Sequence, residues 1–279
     1  MRCRSTQPAT RLQHSIHVEL LGFEEMMERL RMRRIVAVRV CAWALIAASW
    51  TMSAQTMKPA KPAGAAPKTP YYIDPAALDL PTLIPDPPAV DSAANKAELA
   101  ELHRIEASRT PQQIAAAKAD EAEEDLFLYT TVLGPAFNPA SLPATAEVGE
   151  HVKNEQSVAG GALKSVFARP RPYQTDKTLH PVCALTEAAN SYPSGHALTG
   201  YLEGLTLAEI VPEKRVEILA RADDYAHNRL VCGVHYPSDL EASRKVAYVV
   251  FGYMLATPKF QHDLAAAKVE TRTKLGLTK

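Results

Sequence analysis

Beyond residue 90 no stretch alternates apolar and polar side chains as a half-buried strand must; apolar positions return at helical spacing instead. Leu198, Tyr201, Leu202, Leu205 and Leu207 carry that spacing in one segment. Helix packed on helix is then the core available to the chain, and the expected class is all-α, a single-domain helical bundle over residues 71–279. Ser92 is an N-cap candidate for a helix to about residue 108. Thr110 stands before Pro111, a pairing that suits a cap and a first helical position, and the pattern runs on over 112–129. Residues 141–168 read as helix with breaks near Pro143 and Gly160-Gly161. Further helices are expected over 194–210, over 213–229 behind Pro212, over 238–255 with Ser238 as cap, and from Pro258 onward. Pro75, Pro81, Pro85, Pro87 and Pro88 preclude a helix over 71–90 and favour an extended segment on the domain surface.

The N-terminus reads as targeting material. A basic stretch containing Arg33, Arg34 and Arg39 leads into the apolar run of residues 40–50 (VCAWALIAASW), and small residues follow through Ala54. That order describes a secretory signal peptide, and the run falls short of the about 20 residues a membrane span needs. Residues 1–54 are thus expected to be an N-terminal extension with a signal peptide, Met26, Met27 or Met32 being candidate starts. Residues 55–70, rich in Pro and Ala, are expected to be a linker. The expected location is the periplasm or outside the cell. Apolar residues 246–256 are also too short to span, so no stable membrane insertion is expected.

The formal charge of zero hides a split. Eight of the 31 basic side chains and four of the 31 acidic ones lie in residues 1–54, which leaves the remainder at −4. A mildly acidic body argues against nucleic acid as a partner. Cys183 and Cys232 remain after the leader is removed, an even pair in an oxidising compartment. A disulfide would close a loop worth about 4 kcal/mol in the chain-entropy model; two buried free thiols are the other reading.

Three short runs carry chemistry. Lys164 precedes Arg171-Pro172, and the alternation Arg169-Pro170-Arg171-Pro172 stops a helix and holds the backbone extended. Arginine meets phosphate oxygens bidentately and lysine adds a compact charge; a basic helix end complementing the macrodipole is the plainer reading. Pro193-Ser194-Gly195-His196 feeds a helix whose first N–H groups can cradle an anion. Ser194 adds a hydroxyl, Gly195 admits close approach, and His196 stands where a proton donor is useful. A simple serine cap with an incidental histidine is the alternative. In Arg229, His235 and Asp239 (RLVCGVHYPSD), the aspartate follows the histidine by four residues. It can hold one ring nitrogen and leave the other as a nucleophile, or cap a helix as a structural pair.

Taken together, Lys-x6-Arg-Pro, Pro-Ser-Gly-His and Arg-x5-His-x3-Asp resemble the type 2 phosphatidic acid phosphatase superfamily. That superfamily includes bacterial class A non-specific acid phosphatases, membrane lipid phosphatases and vanadium haloperoxidases. The resemblance to the soluble class A enzymes extends over about residues 75–270. It implies an acid phosphatase hydrolysing small-molecule phosphate monoesters, with no metal and no cofactor. It also implies roles: His235 as nucleophile forming a phosphohistidine, Asp239 as its orienting partner, and His196 as acid and then base. Lys164, Arg171, Ser194, Gly195 and Arg229 would hold the phosphoryl oxygens, and vanadate would inhibit. Asn228 departs from the serine usual before the arginine, Ala197 from a threonine and Tyr173 from a phenylalanine. A vanadium-dependent haloperoxidase or a phosphotransferase would use the same residues, and a lipid phosphatase is disfavoured by the lack of spans. A non-catalytic phosphate-binding scaffold would be expected to lack one of His196, His235 and Asp239. Homo-oligomer formation is left open.

Overall fold

The computed structural model describes residues 68–74 and 77–277. The expected leader and nearly all of the linker lie outside the described residues. Within them the chain forms α1 (Leu80–Leu83), α2 (Ala93–Ser108), α3 (Pro111–Ala122), a 3₁₀ turn Leu126–Tyr129 continuing into α4 (Thr130–Leu133), and α5 (Pro143–Phe167). Next come α6 (Pro172–Thr175), α7 (Gly195–Ile210), a 3₁₀ turn Pro212–Lys214, α8 (Arg215–Val231), α9 (Pro237–Ala256) and α10 (Pro258–Lys274). The fold class is all-α, and no extended strand forms among the described residues. None of these helices is long and apolar enough to cross a membrane.

Helix α7 is the axis of the bundle, with α8, α9, α5 and α10 packed around it. A helix enclosed on all sides must be apolar on all sides, and Leu198, Leu202, Leu207 and Ile210 are fully buried. Val152 and Leu163 of α5, Val250 and Met254 of α9 and Phe260 of α10 close the same core. Each such side chain contributes about 1.5–3 kcal/mol by leaving water. This packing brings together the C-terminal ends of α5 and α8 with the N-terminal ends of α7 and α9, the ends that bear the three motifs.

The cap readings at Ser92 and Thr110 hold. Ser92 Oγ accepts from Asn95 N at 3.1 Å, and Thr110 with Gln113 forms a reciprocal capping box. Other boundaries differ from expectation. The helix expected over 112–129 stops at Ala122, because Asp125 turns its carboxylate to cap the next turn at Phe127 N (2.8 Å). Helix α5 runs unbroken through Gly160-Gly161, and Pro143 opens it at its first turn. A Cβ at Gly160 would lie 3.2 Å from Gln156 Nε2 and 3.5 Å from Leu198 Cδ2, so the glycine permits close approach to α7. Ser238 is not a cap. Pro237 takes the first helical position, Tyr236 is the cap residue, and its N–H donates to Asp239 Oδ2 at 2.8 Å. The expected helix over 213–229 begins two residues later, after the 3₁₀ turn, and the proline-rich 71–90 segment contains the one-turn helix α1.

Candidate active site

The third motif is built by a sharp exit from α8. Gly233 adopts φ +74°, a left-handed conformation costly for any side-chain-bearing residue, and reverses the chain. Val234 N then returns to Arg229 O at 3.3 Å. His235 comes to rest ahead of α9 with Asp239 in the first helical turn, where the positive end of the helix favours a carboxylate. His235 and Asp239 are both buried. His235 Nδ1 donates to Asp239 Oδ2 at 3.2 Å, and Arg171 Nη1 donates to His235 Nε2 at 3.2 Å. Nδ1 therefore carries the ring proton and Nε2 presents its lone pair toward the arginine. Burial holds this imidazole well below its ordinary range, and the cations of Arg171, Lys164 and Arg229 push the same way.

Around that lone pair the cations gather. Helix α5 ends at Ala168 in a left-handed conformation, and the following prolines direct Arg171 inward. Its Nε donates to Asn190 Oδ1 at 2.9 Å and its Nη1 to Val234 O at 2.9 Å. Lys164 Nζ donates to Asn190 O at 2.5 Å. The lysine is half-buried. Burial, with Arg171 repelling, lowers Lys164 to about 7. Arg229 is 1% exposed and donates through Nη2 to Cys232 Sγ at 2.8 Å. Its Nε and Nη1 are buried with no acceptor among the described residues, the condition an oxyanion would relieve.

The second motif adds the helix end. Ser194 is fully buried, with its Oγ accepting from Ala197 N at 3.4 Å and its N–H donating to Asp239 O at 3.3 Å. A Cβ on Gly195 would lie 3.5 Å from Gln156 Nε2 and 4.0 Å from Lys164 Cε, so the glycine sits beside both α5 side chains. His196 Nε2 lies 2.8 Å from Glu124 Oε1 and 3.3 Å from Glu121 O. Burial lowers this imidazole below its ordinary value, against the pull of Glu124.

All eight residues singled out in the sequence thus fall in one place, knit by direct contacts or through Asn190 and Glu121. Cys183 and Cys232 form a disulfide (Cα–Cα 5.2 Å), which decides the reading left open between a bridge and free thiols. Asn228 does not reach Arg229. Its amide donates to Asp120 Oδ2 of α3 at 2.7 Å.

Several residues of the site were not anticipated. Arg169 is buried behind Asp239 and donates to its Oδ1 at 2.7 Å, to Ser238 Oγ at 2.8 Å, to Asn95 Oδ1 at 3.0 Å and to Glu98 Oε2 at 2.8 Å. It stacks on Tyr236 at 3.8 Å. Ser191 donates to Asp239 Oδ2 at 2.5 Å. Glu121 lies 3.6 Å from Arg229 Nη2, and both its oxygens accept from Ala184 N at 3.1 Å. The one sequence signal available was the Arg-Pro-Arg-Pro alternation, in which both arginines share the helix-stopping context.

Comparison with known proteins identifies the family. Residues 156–263 match the model of the PAP2 superfamily. The non-specific acid phosphatase of Salmonella typhimurium is 32% identical over 205 residues, 70% of this chain and 80% of its own. That of Providencia stuartii is 28% identical over 255 residues, 86% of this chain and 98% of its own. A solved transmembrane PAP2 type phosphatidylglycerolphosphate phosphatase from Bacillus subtilis is 16% identical, with a TM-score of 0.44, over 63% of this chain and 89% of that one. The chain belongs to the PAP2 superfamily and, within it, to the acid phosphatases.

Proposed function

We propose that the protein is a periplasmic, metal-independent acid phosphatase that hydrolyses small phosphate monoesters through a phosphohistidine. One observation carries the reading: His235 is held by Asp239 at Nδ1 while Nε2 faces Arg171, with Lys164 and Arg229 nearby. An unprotonated nitrogen among cations is what in-line attack on a phosphoryl dianion requires. Arg171 withdraws from Nε2 to a phosphoryl oxygen as substrate enters. The Nε2 lone pair then forms the N–P bond and the P–O bond to the alcohol breaks. The leaving oxygen keeps that electron pair and takes the proton of His196. In the second half His196 removes a proton from water, the water oxygen bonds to phosphorus, and the N–P electrons return to Nε2. Lys164, Arg171, Arg229, Ser194 and the Gly195 N–H meet the equatorial oxygens, and three protein cations perform the charge neutralisation that bound metals provide elsewhere.

Depression of His235 keeps the nucleophile unprotonated in mild acid, where His196 must carry its proton; the two conditions overlap only at acid pH. The N-terminal leader pattern and the disulfide support an oxidising location outside the cytoplasm. The domain reading follows: a leader over 1–54, a linker over 55–70 and the catalytic unit over 71–279.

Release of nitrophenolate from p-nitrophenyl phosphate, with EDTA present and with vanadate added, tests the proposal. Turnover in EDTA that is greatest in acid, stopped by vanadate and lost in His235→Ala is expected. Activity of His235→Ala within about tenfold of the parent would remove the histidine from the nucleophile role. Bromide oxidation by peroxide on adding vanadate, without ester hydrolysis, would replace the phosphatase reading with a haloperoxidase.

A further inference from the structure

The break that ends α3 early serves the site. Residues 123–125 present three consecutive carboxylates, and the chain leaves the helix there. The short loop is pinned on each side of Glu124. Ala184 N donates to Glu121, Tyr225 Oη donates to Glu123 O, and Asp125 caps Phe127. Fixed between those anchors, Glu124 places Oε1 2.8 Å from His196 Nε2, with the Glu121 carbonyl at 3.3 Å from the same nitrogen. The His196 side chain is 18% exposed and that of Glu124 37%, so the pair is partly open to water.

Resting on the phosphatase reading, we propose that Glu124 is a positioning residue that fixes the ring of His196 and keeps it protonated as the acid for the leaving alcohol. With Nε2–H directed at Glu124 and the Glu121 carbonyl, Nδ1 is the nitrogen left to meet the leaving oxygen. The site then holds two histidine–carboxylate pairs of opposite purpose. Asp239, fully buried with His235, fixes a tautomer whose Nε2 is bare. Glu124, nearer water, favours the imidazolium form. The groups facing His196 are Glu124 from the loop, the Glu121 carbonyl from the last turn of α3, Tyr225 and Arg229 from α8, and His235 ahead of α9. Burial and Arg229 favour the neutral ring, and Glu124 is the main side chain opposing them.

The role predicts dependence on the leaving group. A nitrophenolate departs readily without a proton, whereas an alkoxide does not. For Glu124→Gln, kcat/KM on glycerol phosphate should fall roughly tenfold or more, a fraction of what general-acid catalysis supplies, while that on p-nitrophenyl phosphate falls less than about threefold. The basic limb of the pH profile should move toward acid, and Glu124→Asp should restore part of both. Nuclear magnetic resonance titration of the His196 ring should show a lower midpoint in Glu124→Gln than in the parent. Equal losses on the two esters, an unmoved basic limb, or an unchanged His196 midpoint would each overturn the assignment. A parent protein inactive on both esters would instead remove the phosphatase reading, and the ring titration would still decide whether Glu124 holds the proton on His196.

Discussion

Replacing Arg169 by methionine isolates what the buried network behind the nucleophile contributes. The guanidinium is the shared partner of Asp239 and Glu98, whose side chains are 0% and 13% exposed, at 2.7 and 2.8 Å. Methionine fills much of the volume and still lies on Tyr236, so the perturbation is chiefly loss of charge and of four hydrogen bonds. An exposed ion pair would contribute less than about 1 kcal/mol. Here the remaining carboxylates stay buried without their cation, and breaking a buried pair from one side costs about 3–5 kcal/mol. Asp239 keeps Ser191 Oγ, Tyr236 N and His235 Nδ1 on Oδ2, but Oδ1 loses Arg169.

Urea unfolding followed by far-ultraviolet circular dichroism should therefore place Arg169→Met about 3–5 kcal/mol below the parent. Arg169→Lys, which keeps the charge but not the fork, should lie between them. The double variant Arg169→Met with Asp239→Asn should lose less than the sum of the single losses, since neither leaves a partner charge behind at that contact. Turnover should fall in Arg169→Met even where the protein is fully folded, because the carboxylate that aims His235 has lost its Arg169 partner on Oδ1. A stability loss below about 1 kcal/mol, or strict additivity in the double variant, would refute the view that this arginine neutralises a buried pair.

Two pH-dependent outcomes follow from groups whose ionisation burial has displaced. Lys164, lowered to about 7, should lose its charge in the free enzyme as pH climbs above that value; the inhibition constant of sulfate, a dianion throughout, should rise toward about tenfold per pH unit there, and an unchanged constant would place the lysine outside the anion site. Glu203 is fully buried, neither carboxyl oxygen has a partner among the described residues, and desolvation raises it well above its ordinary value. An acid so raised contributes stability that is complete below the unfolded value of about 4.3 and is lost as pH rises through the folded one. Glu203→Gln should accordingly raise the melting temperature more at neutral pH than in acid; an equal change at both would mean the carboxyl is not held neutral.

The helical class, the caps at Ser92 and Thr110 and the motif residues that the structure gathers in one place were legible because each is local. Periodicity, a side-chain oxygen three residues before an N–H, and fixed spacings within a motif need only neighbours in sequence. What the sequence hid depends on distant partners. Gly160-Gly161 weakens a helix by propensity, yet α5 continues through it while packed against α7. Residues 112–129 carry helical composition throughout, but Asp125 has a better use as a cap, and the early stop is visible only with α7 and α8 beside it. Arg169 and Arg171 are alike on paper. Which one faces His235 and which one braces Asp239 is decided by Glu98 and Asn95, 71 and 74 residues upstream of Arg169.

The same long-range logic explains why Asn228 need not impair the site. Its amide is engaged by Asp120, which also takes Arg221 through two bonds, so this position stabilises the α3–α8 contact. Arg229 is instead oriented by Cys232 Sγ and Glu121, both outside the family motif. The disulfide gives that sulfur a fixed position, and Glu121, in the last turn of α3, leads directly into the loop that carries Glu124. In the proposed mechanism, anion grip and proton delivery are therefore supported from one short segment at and just beyond the end of α3. A change there would be felt at Arg229 and His196 together, while His235 and Asp239, braced from Arg169 and Ser191, would keep their geometry.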